Sequence, residues 1–156
     1  LNTSKRYVHI MTPYLILDNE MMTALKFAAK RGVEVIIIMP HVPDKWYAFV
    51  LAKTYYNELL DAGVQIYEYT PGFVHAKVFT SDDRKAVVGT INMDYRSLFL
   101  HFECGVLLQK NSQVAVLRDD VRATLPQCRE IQVTECRTSL PGTVLDSVLR
   151  LLSPLM

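Results

Sequence analysis

Short runs of β-branched and aromatic residues alternate along this chain with longer stretches whose apolar positions recur every three or four residues, the pattern of a layered α/β fold. Residues 6–11 read as a first strand. Asp18 can cap a helix running to about Arg31, with Met21, Met22, Leu25, Ala28 and Ala29 on one side and Gly32 as its stop. A strand over 33–39 leads into a loop at 40–43. Asp44 is placed to cap a second helix that closes at Ala62 and Gly63, and residues 64–69 give a third strand.

Further along, 74–80 and 85–90 predict two strands joined by the turn-forming Ser81, Asp82 and Asp83, hence a hairpin. Residues 99–108 predict another strand. Val114, Leu117, Val121 and Leu125 keep helical spacing behind a Ser112 cap, and Pro126 ends that helix. A last helix sets Val144, Leu145, Val148, Leu149 and Leu152 in one apolar stripe, with Asp146 and Arg150 on the other side. Core packing is its expected role, with a membrane-facing or partner-facing stripe as the alternative. No internal repeat or low-complexity linker divides the series.

Half of the 156 residues are hydrophobic, which suits a single domain over 1–156 with a sizeable core. Seventeen Lys and Arg against sixteen Asp and Glu leave a net charge of +1. No whole-chain field draws in a polyanion, so a compact phosphate group is the more natural partner and no nucleic acid is expected. Three cysteines without Cys-x-x-Cys spacing, Cys104, Cys128 and Cys136, argue against a disulfide framework and a zinc site and for a reducing compartment. They read as small apolar fillers. The longest apolar stretch, 33–40, is far short of the roughly 20 residues a membrane-spanning helix needs. The start at Leu1, without a secretory signal, reads as a soluble fragment whose targeting sequence lies upstream.

The chemistry concentrates in 73–92. On a strand, His75 and Lys77 would leave the same face about 7 Å apart along the chain, with Val74, Ala76 and Val78 pointing into apolar surroundings. Thr90 and Asn92 repeat the spacing at the end of a neighbouring strand, and Gly89 before them allows close approach of backbone or ligand. Imidazole, ammonium, hydroxyl and amide together suit a phosphate. Cleaving a phosphodiester needs a nucleophile active at neutral pH and fixed donors around the phosphoryl oxygens.

His75-x-Lys77, then Asp82, then Gly89-Thr90-x-Asn92 resembles the H-x-K-x4-D-x6-G-[S/T]-x-N signature of the phospholipase D superfamily. The run from Asn92 to Glu103 looks similar to bacterial cardiolipin synthases, as do Thr12-Pro13-Tyr14, 40–44, 71–75 and 151–155. The resemblance implies a three-layer α-β-α fold with a mixed central sheet and a ping-pong phosphatidyl transfer through a phosphohistidine. On that basis His75 is the nucleophile, Lys77 and Asn92 bind phosphate oxygens, Thr90 adds a donor, and Glu103 accepts from the other histidine nitrogen. Asp82 is the motif aspartate, and its place in a turn gives it a structural role. The substrate implied is phosphatidylglycerol, with no cofactor and no metal. Such catalysis uses two motifs, and none of His9, His41 and His101 heads a second. The other must come from an upstream half of a longer parent or from a homodimer. The chain would then be the C-terminal half of a protein at the reducing, cytoplasmic-type side of a bacterial cell membrane, meeting the membrane surface through that parent. The alternative is a single-motif phosphodiesterase or nuclease acting as a homodimer.

Plainer readings attach to the remaining candidates. His41, Asp44 and Trp46 are loop and cap residues where α/β proteins often bind ligands. His101 reads as a partly exposed strand histidine, Tyr55 and Tyr56 as packing residues, and Asp94 with Arg96 as an ion pair bracing a turn.

Overall fold

Every residue of strand β1 (Tyr7–Met11) is buried, so it must be covered on both faces. In the computed structural model, which describes residues 1–136 and 140–155, it lies at the centre of a seven-stranded mixed sheet. After the short β2 (Leu15–Ile16), helix α1 (Asn19–Lys30) crosses to β3 (Glu34–Pro40), and α2 (Trp46–Asp61) crosses to β4 (Gln65–Tyr69). These crossovers make β1, β3 and β4 parallel neighbours. β5 (Val78–Ser81), β6 (Lys85–Gly89) and β8 (Gly105–Gln109) extend the sheet antiparallel from the other side of β1, and β7 (Met93–Asp94) pairs only with β2. α3 (Ser112–Thr124) precedes β9 (Cys128–Glu130), which closes the far edge against β4. α4 (Val133–Cys136) and α5 (Leu140–Leu151) follow.

Alternation along the strands builds the three layers. Val8, Ile10, Val35, Ile37, Met39 and Ile66 pack in one cluster with Leu25 and Ala28 of α1 and Leu51, Tyr55, Tyr56 and Leu59 of α2. Met11, Ile36 and Ile38 form the opposite cluster with Leu117 and Val121 of α3. Asp18 caps α1 by accepting from Met21 N at 2.7 Å, and Gly32 and Gly63, at φ of 83° and 94°, stop α1 and α2 as expected.

The hairpin turn is tied to the start of β1. The Asp82 carboxylate accepts from Lys5 N (2.8 Å), Arg6 N (2.8 Å) and Tyr7 N (3.0 Å). Burial works against this carboxyl, but the backbone N–H groups of Tyr7, Arg6 and Lys5 hold it below its usual value. Asp83 is likewise held down to about 2 against its burial, by Arg118, Arg6 and Tyr7. Asp82 thus ties the hairpin turn to the start of β1.

Several elements depart from expectation. The β5 ladder begins at Val78, so His75 and Lys77 lie ahead of the strand, although the Lys77 carbonyl still accepts from Gly89 N of β6 at 3.3 Å. Val74 and Ala76 nevertheless pack inward with Val78. Residues 99–108 are not one strand, because Asp94 Oδ1 accepts from Ser97 N at 2.7 Å and starts a π-helical turn over Arg96–Leu100. Asp94 is therefore a cap and not the partner of Arg96, which donates to His101 Nε2 at 3.0 Å. Asn111 caps α3 in place of Ser112. Asp44 does not cap α2, since it accepts instead from the Tyr14 hydroxyl at 2.6 Å. β9 was not expected.

The last helix docks the other way round. Arg150 donates to Glu58 at 2.9 Å and lies over the Tyr55 ring, and Ser153 bonds Tyr55 Oη at 2.7 Å, so the polar side faces α2. Leu149 packs on the core, but Val144, Leu145, Val148 and Leu152 are exposed. Cys128 and Cys136 border the two clusters, whereas Cys104 is exposed and fills nothing. Among the described residues no helix is long and apolar enough to cross a membrane.

Asp82→Ala removes the acceptor of three backbone donors and is expected to cost about 1–3 kcal/mol in urea unfolding. Because the native carboxyl sits below its ordinary 3.8, this stabilisation is complete above that pH and fades as pH falls through the lowered native value, so wild type and variant converge in acid.

Candidate active site

Strand direction decides which residues meet. Because β5 runs against β1, Val78 pairs with Met11, and Lys77 enters the sheet beside the end of β1. Val88 pairs with Val78 and Gly105 with Gly89, so the end of β6 and the start of β8 reach the same edge. His75, Lys77, Thr90, Asn92 and Glu103 all follow or precede strands there. Asp82 lies at the opposite end of β5, about 16 Å along the strand from Lys77, and cannot join them.

Lys77 is the buried member, 9% exposed, beside an exposed His75. Its Nζ lies 2.8 Å from His75 Nε2 and donates to the His75 carbonyl at 2.8 Å. An ammonium has only donors, so Nε2 accepts and the neutral ring carries its proton on Nδ1. Phe73 stacks on the imidazole at 5.5 Å. Burial lowers the Lys77 pKa, while the carboxylates of Glu103, Asp44 and Asp94 pull it back up. A positive charge kept short of water and neutralised only at a distance is ready for an anionic ligand.

The second cluster hangs on Gly89. A Cβ there would lie 2.1 Å from Cys104 O and 2.6 Å from Gly105 Cα, so only glycine lets the two backbones come this close. Thr90 N then donates to Cys104 O at 2.9 Å, Cys104 N donates to Thr90 Oγ1 at 3.0 Å, and the Thr90 hydroxyl donates to Glu103 Oε2. Hydrogen bonds from Thr90 and Ser97 hold the Glu103 carboxyl below its ordinary value. The expected bond from the imidazole to Glu103 is not made; Glu103 orients Thr90 instead. Asn92 Oδ1 is buried without a partner.

Two features escaped the sequence reading. Thr12 joins the loops by donating to Tyr14 O at 2.9 Å and accepting from Met93 N at 3.3 Å. Glu68, 2% exposed, binds His41 Nδ1 at 2.8 Å; a glutamate on the inward face of the strand at 64–69 was its one signal. His101 stays with Arg96 on the π-helical turn, and Tyr55 and Tyr56 are packing residues.

The same fold is found in the phosphatidylserine synthase of Haemophilus influenzae, with a TM-score of 0.77 at 15% identity over 99% of this chain and 42% of that one. It is found also in Nuc, a phospholipase D family member of Salmonella typhimurium, with a TM-score of 0.71 at 20% identity over 83% and 84%. The fold is thus the α/β fold of the phospholipase D-like class. Residues 1–124 match the family described as cardiolipin synthase, PLD-like domain, and the chain belongs to that family. It is 41% identical to cardiolipin synthase 2 of Bacillus anthracis over 155 residues, 99% of this chain and 30% of that protein. The chain spans about a third of the length of the curated relatives it matches.

Two outcomes are expected. Phosphate binding, followed by isothermal titration, weakens on the alkaline side at a pH below the ordinary lysine value of 10.5, because the lowered Lys77 loses its proton early; Lys77→Arg moves this limb up by more than a unit. Gly89→Ala costs about 1–3 kcal/mol in chemical unfolding, because backbone and not a pliable side chain blocks the new methyl.

Proposed function

We propose that this chain is one catalytic half of a phosphatidyltransferase of the cardiolipin synthase type. The observation that carries the reading is the Lys77 ammonium against His75 Nε2 at a water-accessible sheet edge. A lipid phosphate entering there draws Lys77 to its oxygens and frees the Nε2 lone pair. That lone pair attacks phosphorus, the bond from phosphorus to the glycerol oxygen breaks, and a second histidine from the other motif protonates the departing alkoxide. The hydroxyl of a second phosphatidylglycerol then attacks the phosphohistidine and gives its proton to that same histidine. Cardiolipin leaves, glycerol has been released, and His75 is restored. Lys77 and Asn92 hold phosphoryl oxygens, while Glu103 fixes Thr90 beside them.

The second motif belongs to an upstream half of a longer parent or to a second copy. A single-motif phosphodiesterase acting as a homodimer is the other reading. The likeness to Nuc favours it, since it covers similar shares of both chains and so needs no second domain in one polypeptide.

The test is transfer on phosphatidylglycerol vesicles, read by mass spectrometry, with this chain alone and with the longest upstream extension of its gene. Cardiolipin from either supports the proposal, and His75→Ala is expected to lower its formation by roughly 1,000-fold or more while changing stability by less than about 0.5 kcal/mol. Cleavage of simple phosphodiesters by the dimeric short chain, with no cardiolipin from either, overturns the proposal in favour of the homodimeric phosphodiesterase.

A further inference from the structure

The edge that carries His75 also carries a set of exposed apolar side chains, of which Phe73 alone is engaged on the His75 ring among the described residues. Val42 stands on the segment between β3 and α2 and Trp46, 73% exposed, begins α2, with Tyr47 set against Trp46 edge to face at 6.1 Å. Phe73 stands on the segment between β4 and β5. Leu100 ends the π-helical turn and Phe102 stands between that turn and β8, and Phe102 is fully exposed. In the strand order, β5 and β6, whose ends hold Lys77 and Thr90, lie between β8 and β3. Four strand spacings separate those two, so the apolar groups flank the site across about 19 Å, the width of a few lipid head groups.

We infer that these three loops form a rim that inserts into the interface of an anionic bilayer, seating His75 over lipid phosphates. Tryptophan and tyrosine favour the boundary between head groups and acyl chains, and isolated aromatic groups on loop tips suit shallow insertion better than a flat protein partner. Charge agrees. Asp44 is engaged by the Tyr14 hydroxyl, Glu103 by Thr90 and Asp94 by Ser97 N, whereas Lys45 lies over the Tyr14 ring and Lys77 faces the site. These carboxylates keep their charge, but among the described residues none forms an ion pair with Lys45 or Lys77, so both ammonium groups remain available to lipid phosphates. The inference rests on the phosphatidyl-transfer reading, because a substrate held in a bilayer must reach His75, and it assigns to this chain the contact that a membrane anchor elsewhere in a parent would otherwise supply alone.

Trp46 is the only tryptophan in the sequence, so its emission reports on the rim directly. Phosphatidylglycerol vesicles added to the full chain are expected to shift that emission to the blue, protect it from an aqueous quencher and expose it to brominated acyl chains. Leu100→Ser together with Phe102→Ser, both at exposed positions, are expected to weaken vesicle binding about tenfold or more. Vesicles that sediment the chain without moving Trp46 emission place the contact elsewhere, such as the outward face of α5, and overturn the proposal. So does a blue shift that appears on raising protein concentration without lipid, which assigns the rim to a second copy. Trp46 insertion without any transfer sinks the enzymatic reading and leaves the rim, while transfer with a silent Trp46 sinks the rim alone.

Discussion

The antiparallel pairing of β5 against β1 is the constraint on which the rest depends. With β3 parallel on one side of β1 and β5 reversed on the other, the ends of three parallel strands and the start of β5 fall at one edge of the sheet. Reverse β5, and His75 and Lys77 would sit beside the turn that now holds Asp82. The hydrogen-bond ladder enforces this arrangement by register alone, since a one-residue slip would turn Lys77 to the other face and bring Val74 and Ala76 out of the core. The placement of His75 and Lys77 is a consequence of backbone pairing before any side chain makes a contact.

The signature motif consequently divides into parts with different work. Lys77 lies against His75 at the site, Gly89 lets β6 and β8 approach, and Asp82 secures the hairpin to the first strand. Both clusters keep their charges partly satisfied without strong ion pairs. Glu103 is held by hydroxyl donors, and Lys77 is buried with carboxylates at a distance, so the site holds an uncommitted positive charge that would be expensive if no anion ever came.

The alternation of strand and helix patterns was readable because one period or the other persists for five residues or more. Asp18 and Gly32 bounded α1 because local hydrogen bonding decides a helix end. The failures share a cause in longer-range partners. Residues 74–77 have a strand's composition, but the ladder starts at Val78 and Lys77 O adds a single bond to Gly89 N ahead of it, and 99–104 were diverted when Asp94 closed a turn on Ser97. Asp44, a plausible cap by position, was taken by Tyr14, thirty residues away. α5 presents an amphipathic stripe whose direction only tertiary anchors could decide, and Arg150 and Ser153 turned it outward. That His75, Lys77, Thr90 and Asn92 would come together was legible in their spacing, whereas the attachment of Glu103 to Thr90 depends on how closely two glycine-bearing strands approach.

The two rims of the sheet are not alike. β9 is short and carries Arg129 and Glu130, side chains that discourage another strand from adding to it. β8 reads Gly-Val-Leu-Leu-Gln, carries no charge, and leaves Val106 and Leu107 exposed beside an open row of backbone donors and acceptors. A bare edge of this kind is a template on which a foreign or identical strand can grow the sheet. Handled in isolation at high concentration, the chain therefore carries its main risk of self-association along β8, and a single lysine introduced on that strand is the economical guard against it.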